Sequence, residues 1–342
     1  MTDDPSRRLT PVVRLAPAKL NLTLAVVGRR SDGYHALHSV MVPLAVADRL
    51  SLAPDPSPAA RDSLRTEGFD PGPPESNLVL RAIEATRRAV RGEVVATPPA
   101  LAVRLEKRIP VAAGLAGGSS DAAAAIDGAL EAWDAAEALG PDERSAVAAS
   151  IGSDVPFFLA GGAALVEGRG ERVTPLHGLR LTAGEPDPGI LLVTPDAPAH
   201  TADVFRAWAA GAMGEPAVVR RTSEHFASEF GAGLTGRQLI ERAGVLASAN
   251  DLLPAAAAVV EGLIPFRRAL TRLLGRPIGL SGSGPTLWAL YPSLDDADLA
   301  AASVRAAIGT GFVTAPGDAA PFVAATTILP GPPATDDQRS DA

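Results

Sequence analysis

The chain alternates between short apolar segments with strand periodicity and longer segments with helical periodicity. Residues 11–27 alternate apolar and polar positions like a half-buried strand pair, with an interruption at Pro17. Residues 40–52 predict another strand, and the apolar positions from Leu101 to Leu105 predict a third. Helices are predicted at residues 77–90, capped by Ser76, in the alanine-rich stretch that follows Gly118, and at residues 141–151.

The second half of the chain continues this mixture, with a change of composition between Leu179 and Pro188. This stretch is rich in Gly, Pro and Asp, which is typical of a domain boundary. We therefore expect an N-terminal domain over residues 11–180 and a C-terminal domain over residues 188–330, followed by a disordered tail at residues 331–342. Further predictions are an exposed loop at 54–75, strands at 163–167, 190–193 and 322–328, and helices at 255–274 and 295–307.

Two polar residues interrupt the first apolar strand. Lys19 and Asn21 are two positions apart, so they share one face of the strand, and Leu20 and Leu22 take the other. Two interpretations are open at this point. The polar pair is either the solvent face of an edge strand or part of a functional site.

The stretch from Lys107 to Ile126 has the layout of an anion-binding loop. A predicted strand leads into a loop with three glycines and two serines, and a helix follows. Glycines permit backbone angles that bring consecutive N–H groups together, and the positive end of the helix dipole faces the same point. The loop lacks the Gly-Lys-[Ser/Thr] ending of a Walker A loop and the G-x-G-x-x-G spacing of dinucleotide folds.

Composition narrows the functional classes. The chain has 342 residues, a net charge of −8 and no cysteine, which argues against a nucleic-acid-binding protein and removes thiol chemistry. Neither a signal peptide nor an apolar run long enough to span a bilayer is visible, so we expect a cytoplasmic enzyme without a membrane partner. Lys19 and Lys107 are the two lysines, and arginine cannot replace a compact ammonium.

The loop from Pro110 to Ser120 resembles the phosphate loop of the GHMP kinase superfamily. Three further segments resemble one kinase family within that superfamily, and the motifs occur in the family's order. They are Pro-Ala-Lys-Leu-Asn-Leu from Pro17, Asp-Gly-Tyr-His from Asp32, and Gly-Ser-Asp-Val-Pro-Phe from Gly152. The sequence departs from the family at Leu253, where the family has an acid. The resemblance implies an α+β fold with an ATP-binding N-terminal domain and a ferredoxin-like C-terminal domain.

The segment around Tyr34 and His35 places the resemblance in one branch of the superfamily. The implied reaction transfers the γ-phosphoryl group of ATP to the 2-hydroxyl of 4-diphosphocytidyl-2-C-methyl-D-erythritol, in the non-mevalonate pathway to isoprenoid precursors. In this interpretation Asp154 takes the hydroxyl proton, Lys19 neutralises charge, and Asn21 orients the acceptor. Tyr34 and Phe205 would stack on the cytosine, and His35 would hydrogen-bond its edge.

The resemblance assigns the remaining site residues to ATP. The phosphate loop would supply Pro110, Val111, Ala112, Ala113, Gly114, Leu115, Ala116, Gly117, Gly118, Ser119 and Ser120, and Asn77 and Lys107 would lie near the adenine. Ordinary structural roles stay open for several residues. Asp154 fits a helix N-cap, Phe205 fits a core residue, and Tyr34 and His35 fit a loop with local hydrogen bonds. Asn77 fits a helix start, and Lys107 fits the solvated end of a strand.

Mg²⁺ is expected with ATP, although no carboxylate cluster in the sequence is required to bind it. Phosphates, water and Ser119 could supply the ligands. The expected partner is a small cytidylyl diphosphate sugar alcohol, and the chain is expected to be a monomer or a weak homodimer. Two alternatives remain: a GHMP kinase for another small alcohol, and a nucleotide-binding module without catalysis.

Overall fold

A computed structural model describes residues 11–331, except 32, 56, 58, 91–96, 181–183 and 212–215. The expected tail lies outside the described residues apart from Gly331, and so do the first ten residues. The described chain forms two compact units. The first comprises the chain up to Ala18, Val46–Val111 and Ala116–Ala160, and the second comprises Lys19–Ala45, Ala112–Leu115 and the chain from Gly161 onward. The predicted boundary between Leu179 and Pro188 does not coincide with these borders and remains a prediction.

Two long strands contribute residues to both units. These are β1 (Val12–Asn21) and β3 (His35–Asp55). Pro17 does not interrupt β1, which corrects the expectation from the sequence; the break comes after Asn21. Among the described strands β1 pairs with β3 alone, so it is an edge strand, and an edge strand tolerates a proline that donates no ladder hydrogen bond.

The first unit packs helices on a small group of strands. Strand β5 (Ala100–Lys107) pairs in parallel with β4 (Ser63–Gly68) and antiparallel with the second half of β3. Alternate residues of β5, from Leu101 to Leu105, are buried as the apolar pattern predicts. The helices are α1 (Leu78–Val90), α2 (Gly117–Ala132), α3 (Pro141–Ile151) and α4 (Val155–Ala160).

Alanines of α2 make the first unit's core compact. Ala122, Ala123, Ala125 and Ala129 are buried, and their small side chains allow α1 to pack closely on this helix. The core includes Ile83 of α1. The first turn of α2, which follows the glycine-rich loop, is thereby held on a rigid element.

The second unit contains two groups of strands. The first half of β3 pairs antiparallel with β2 (Ala25–Arg29) and with β6 (Ala164–Gly168), which in turn pairs with β7 (Arg172–Pro175). A separate antiparallel sheet has the order β11-β8-β10-β9. Its strands are β8 (Gly189–Thr194), β9 (Gly279–Leu280), β10 (Leu287–Tyr291) and β11 (Phe322–Thr327). With helices after β8 and β10, this arrangement matches the ferredoxin-like expectation.

Seven helices belong to the second unit. They are α5 (Thr201–Ala209), α6 (Pro216–Gly231), α7 (Gly236–Glu241), α8 (Ala243–Leu246), α9 (Leu253–Val259), α10 (Leu263–Leu274) and α11 (Leu294–Gly309), among the described residues. The pattern of apolar positions had not indicated α6, α7 or α8. The core of this unit packs α10 and α11 against β8 and β10.

Three predicted elements are wrong in extent. The expected loop at residues 54–75 contains β4, and β3 begins at His35 rather than at residue 40. The expected helix at residues 255–274 is two helices, α9 and α10. It breaks because Val260 is extended and Gly262 has a φ of 80°, which a continuous α-helix excludes.

Candidate functional site

The glycine-rich loop takes a different backbone form from the one expected. Gly114 has a positive φ of 76°, but Gly117 and Gly118 are helical, because α2 begins at Gly117. The other left-handed residues of the loop are Ala112 and Ala116, with φ of 52° and 53°. The expectation that all three glycines supply unusual backbone angles is therefore correct only for Gly114.

Gly117 is required for close packing rather than for its backbone angle. A methyl group at this position would lie 3.0 Å from the Lys107 Nζ and 3.0 Å from the Ile109 side chain. Gly118, by contrast, has nothing closer than 3.9 Å, so the space beside it is open. The first turn of α2 therefore packs against Lys107 and Ile109 on the side of Gly117, and its other side, at Gly118, is open.

The free side carries hydrogen-bond donors suited to a phosphate. The Ser120 amide donates to the Ala116 carbonyl (3.0 Å), while the amides of Gly117, Gly118 and Ser119 have no acceptor among the described residues. The buried Ser120 Oγ also has no partner there. Unpaired amides at the positive end of a helix dipole attract anions, so this turn fits the phosphates of a nucleotide.

Lys19 and Asn21 are buried and bonded to each other. Their residues are 3% and 2% exposed, and the Lys19 Nζ donates to the Asn21 Oδ1 at 2.5 Å. The two side chains share one face of β1, as the alternation predicted. Their burial shows that the interpretation as the solvent face of an edge strand is wrong.

The ammonium of Lys19 also reaches the loop. Its Nζ donates to the Gly114 carbonyl at 2.8 Å, and the Ser281 hydroxyl donates to the same oxygen at 3.0 Å. A methyl group at Gly114 would lie 2.3 Å from the Ser281 carbonyl oxygen, and one at Gly282 would lie 2.9 Å from the Lys19 Nζ. Both glycines permit approaches that a side chain would block.

A chain of buried hydrogen bonds fixes the orientation of the Asn21 amide. The Asn21 Nδ2 donates to the Ser39 Oγ (2.8 Å), and this hydroxyl donates to the Thr23 carbonyl (2.5 Å). The Asn21 oxygen therefore faces Lys19. Sequence reasoning did not single out Ser39; its position on β3, opposite β1, becomes evident only from the strand pairing.

The second glycine-rich turn, Ser281–Thr286, is held by Asn250. The Asn250 Nδ2 donates to the carbonyls of Leu280 (2.9 Å) and Gly282 (3.0 Å). The neighbouring Asp251 accepts a hydrogen bond from the Val26 amide at 2.8 Å. The Asn-Asp segment therefore supports the turn that lies beside Lys19.

Asp154 is half-buried and directly precedes α4 in the first unit. Its carboxylate makes no hydrogen bond or ion pair with the described residues, so the proposed N-cap bond is absent from this part of the chain. The segment lies beside the first turn of α2, because a methyl group at Gly152 would lie 3.9 Å from the Ser119 Oγ. Lys19 belongs to the second unit, and its approach to Asp154 stays a prediction.

The aromatic residues of the site interact with each other. The rings of His35 and Phe205 stack with centroids 5.1 Å apart and an angle of 15°, and Trp208 meets His35 edge-on at 5.2 Å. This stacking leaves no room for a base between His35 and Phe205. The pKa of His35 is lowered, first by burial and then by the charge of Arg29, so the ring is neutral at pH 7.

Tyr34 is the most accessible of these rings, with 54% of the residue exposed. The guanidinium of Arg169 lies 5.6 Å from its centroid, which is a cation–π contact. Sequence reasoning did not identify Trp208, although it lies one helical turn after Phe205 on α5. It also did not identify Arg169 as a neighbour of Tyr34, because the two residues are far apart in sequence.

Asn77 and Lys107 make structural contacts in the first unit. The Asn77 Oδ1 accepts from the Val79 amide at 2.9 Å and caps α1, so the expected capping by Ser76 is wrong. Ser76 instead donates to the Pro73 carbonyl. Lys107 is buried between two carboxylates, which excludes its interpretation as a solvated strand end.

The described part of the chain has neither a metal-binding cluster nor a helix that could span a membrane. It contains no cluster of three or more His, Asp or Glu side chains suited to a metal ion. None of its helices has the length and the apolar composition that a bilayer crossing requires.

The chain is similar in sequence to proteins of one kinase family. The profile of the GHMP kinases N terminal domain matches residues 77–162, which include the glycine-rich loop and Asp154. The 4-diphosphocytidyl-2-C-methyl-D-erythritol kinase of Pelotomaculum thermopropionicum is 37% identical over 86% of this chain and 94% of its own length. That of Deinococcus radiodurans is 36% identical over 92% of this chain and 95% of its own.

A crystal structure of a 4-(cytidine 5'-diphospho)-2C-methyl-D-erythritol kinase also superimposes on the chain. The TM-score is 0.62 at 31% identity, and the match covers 92% of this chain and 99% of the other. The expected α+β GHMP kinase fold is therefore confirmed. The chain belongs to the family of 4-diphosphocytidyl-2-C-methyl-D-erythritol kinases, within the GHMP kinases.

Proposed function

We propose that this chain transfers the γ-phosphoryl group of ATP to the 2-hydroxyl of 4-diphosphocytidyl-2-C-methyl-D-erythritol. The observation that carries the proposal is the buried ammonium of Lys19, bonded both to Asn21 and to the Gly114 carbonyl of the loop. A buried cation held beside a phosphate-binding loop is what phosphoryl transfer requires, since the protein mainly positions reactants and neutralises charge. The names of the relatives support the choice of acceptor.

The loop and the first turn of α2 hold the nucleotide in this proposal. The amides of Gly117, Gly118 and Ser119 donate to the phosphates, and the Ser120 hydroxyl gains the partner that it lacks. Bound Mg²⁺ would neutralise charge on the β- and γ-phosphates, and the half-buried Ser119 could contribute a ligand. The adenine lies near Asn77 and the end of β5.

Asp154 acts as the general base in the proposed reaction. Its carboxylate has no partner among the described residues, so it is free to accept the proton of the acceptor hydroxyl. Lys19 stabilises the charge that develops on the transferred group and on the attacking oxygen. Asn21, with its amide fixed by Ser39, orients the acceptor.

The aromatic residues recognise the cytidine. Tyr34 is an exposed aromatic residue that can stack on the base, and the neutral His35 can hydrogen-bond the edge of the base. The resemblance assigned Phe205 to the cytosine stack as well. Its ring stacks on His35 in the structure, and we propose that it contributes to base recognition beside that imidazole. This set selects a base-bearing acceptor over a simple alcohol. We propose in addition a cytoplasmic location and a monomeric or weakly dimeric enzyme, with no nucleic-acid partner.

The experiment that tests the function measures ADP release with and without the acceptor. We expect ADP formation that depends on 4-diphosphocytidyl-2-C-methyl-D-erythritol, with a phosphorylated product identified by mass spectrometry. A panel with mevalonate and homoserine as acceptors is the control. Faster turnover of either would support a kinase for another alcohol, and calorimetric ATP binding without any product would support a non-catalytic module.

Replacing Tyr34 by alanine is expected to raise the KM for the cytidylyl acceptor about tenfold. A stack between a base and an aromatic ring contributes about 1–3 kcal/mol, and the substitution removes it. The KM for ATP and kcat should change little. Steady-state kinetics with each substrate varied in turn measures the two KM values and kcat. An equal rise in the KM for ATP would contradict the stacking role.

A further inference from the structure

Three charged side chains are buried together in the first unit, directly behind the start of α2. The Nζ of Lys107 lies 2.8 Å from the Asp121 Oδ2 and is also bonded to the Asp48 Oδ2. The three side chains are 3%, 3% and 0% exposed, in the order Lys107, Asp121, Asp48. Burying charges is costly unless they are paired and hydrogen-bonded, so this cluster requires an explanation.

The cluster connects the two ends of the glycine-rich loop. Lys107 is the last residue of β5, and Asp121 lies at the start of α2. Asp48, on β3, accepts hydrogen bonds from the amides of Arg108 (2.5 Å) and Ile109 (2.8 Å) through its Oδ1. The entry to the loop and the exit from it are therefore tied to one buried ammonium.

Direct contact between this ammonium and a nucleotide does not fit the geometry. Both acceptors of the Lys107 Nζ among the described residues are carboxylates, and the ammonium is buried. It lies directly behind the first turn of α2, since a methyl group at Gly117 would lie 3.0 Å from it. Lys107 can thus act on the nucleotide through the backbone that it supports.

We propose that Asp48, Lys107 and Asp121 are positioning residues that clamp the ends of the loop in the form that binds the nucleotide. The clamp sets the direction of the free amides of Gly117, Gly118 and Ser119. Holding these donors in place before binding avoids the cost of ordering them on binding. The inference rests on the proposed role of this loop in ATP binding.

The charge balance of the clamp guides the choice of variants. Burial raises the pKa of Asp121 to about 7, and the nearby Asp48 adds to the effect, although the charge of Lys107 opposes it. Asn has the shape of Asp without its charge and is the conservative replacement at position 121. Asn keeps an oxygen that can accept from Lys107, whereas Ala removes the acceptor and disconnects α2 from the clamp.

The test is calorimetric binding of ATP to the full chain carrying Asp121→Ala or Asp121→Asn. We expect Asp121→Ala to raise the Kd for ATP about tenfold, or about 1.4 kcal/mol. Asp121→Asn should restore most of the affinity. The KM for the acceptor should stay unchanged in both variants. Asp127→Ala, on the same helix and paired with Arg144 instead, is the matched control and should bind ATP like the unchanged chain.

A second variant protects the test against misfolding. Asp48→Asn keeps the size of the side chain and should also weaken ATP binding. In one orientation of the new amide, its nitrogen faces the Lys107 ammonium and repels it. In the other orientation, the nitrogen faces the Arg108 and Ile109 amides, which lose their acceptor. Wild-type ATP affinity in folded Asp121→Ala or in Asp48→Asn would overturn the clamp. Failure of the unchanged chain to bind ATP would instead overturn the proposed function.

Discussion

Replacing Asp154 by asparagine is expected to lower kcat by about 10²- to 10⁴-fold, which is the range for loss of a general base. The amide has the size of the carboxylate but cannot take the proton of the acceptor hydroxyl. Because Asp154 bonds to no described residue, its replacement should leave the fold and the Kd for ATP nearly unchanged. Steady-state kinetics, calorimetric ATP binding and thermal unfolding together measure these three effects.

The control for this variant is Asp142→Asn, in the first turn of α3. Asp142 is exposed, and its replacement should leave kcat unaltered. If Asp154→Asn retained most of its activity, the assignment of the base would be wrong. A loss of stability without a loss of turnover would show that the Asp154 carboxylate has a structural role instead.

Replacing Lys19 by methionine is expected to lower kcat by about 10²- to 10³-fold, comparable to the loss of a donor that stabilises developing charge. Methionine fills a similar volume but carries no charge. The substitution also leaves the buried Asn21 Oδ1 without its ammonium donor, which costs about 1–3 kcal/mol of folding stability. The Gly114 carbonyl keeps the hydrogen bond from the Ser281 hydroxyl. Turnover and urea unfolding are both measured.

Arg14→Met provides the matched control, since Arg14 lies on the same strand and pairs with Glu131 near the surface. It should keep kcat within a few-fold of the unchanged chain, because an exposed ion pair contributes little to folding stability. Lys19→Met could lose stability but keep full turnover at a temperature where it is folded. That result would show that Lys19 has a structural role and no catalytic one.

Local patterns were sufficient to predict the placement of Lys19 and Asn21. Two positions apart on a strand, the side chains had to share a face, and the structure bonds them to each other. The pattern could not decide whether that face was buried. Burial depends on Gly114 and Gly282, which reach Lys19 from segments far along the chain.

The backbone conformation of the glycine-rich loop could not be predicted from its residue types. Glycine was expected to supply every unusual backbone angle, yet Ala112 and Ala116 are left-handed, and Gly117 is helical. Non-glycine residues with positive φ are uncommon, so no local rule would place them here. Gly117 is needed instead because Lys107 and Ile109 pack against it, a fact of tertiary structure.

The buried partners of Lys107 could not be found from its own segment. Asp48 becomes its neighbour because β3 pairs with β5, and the pairing register was not predictable from either strand alone. Strand β4 was missed for another reason. The prolines around residues 54–75 indicated a loop, although Leu64 and Thr66 alternate with polar positions as a short strand requires.

The double variant Asp154→Asn with Lys19→Met tests most directly whether the two side chains serve one phosphoryl transfer. Groups that act on the same transition state are strongly non-additive. We predict a kcat for the double variant within a few-fold of the lower single variant. A kcat reduced by the full product of the two separate losses would contradict the account, because it would mean that Lys19 and Asp154 act independently.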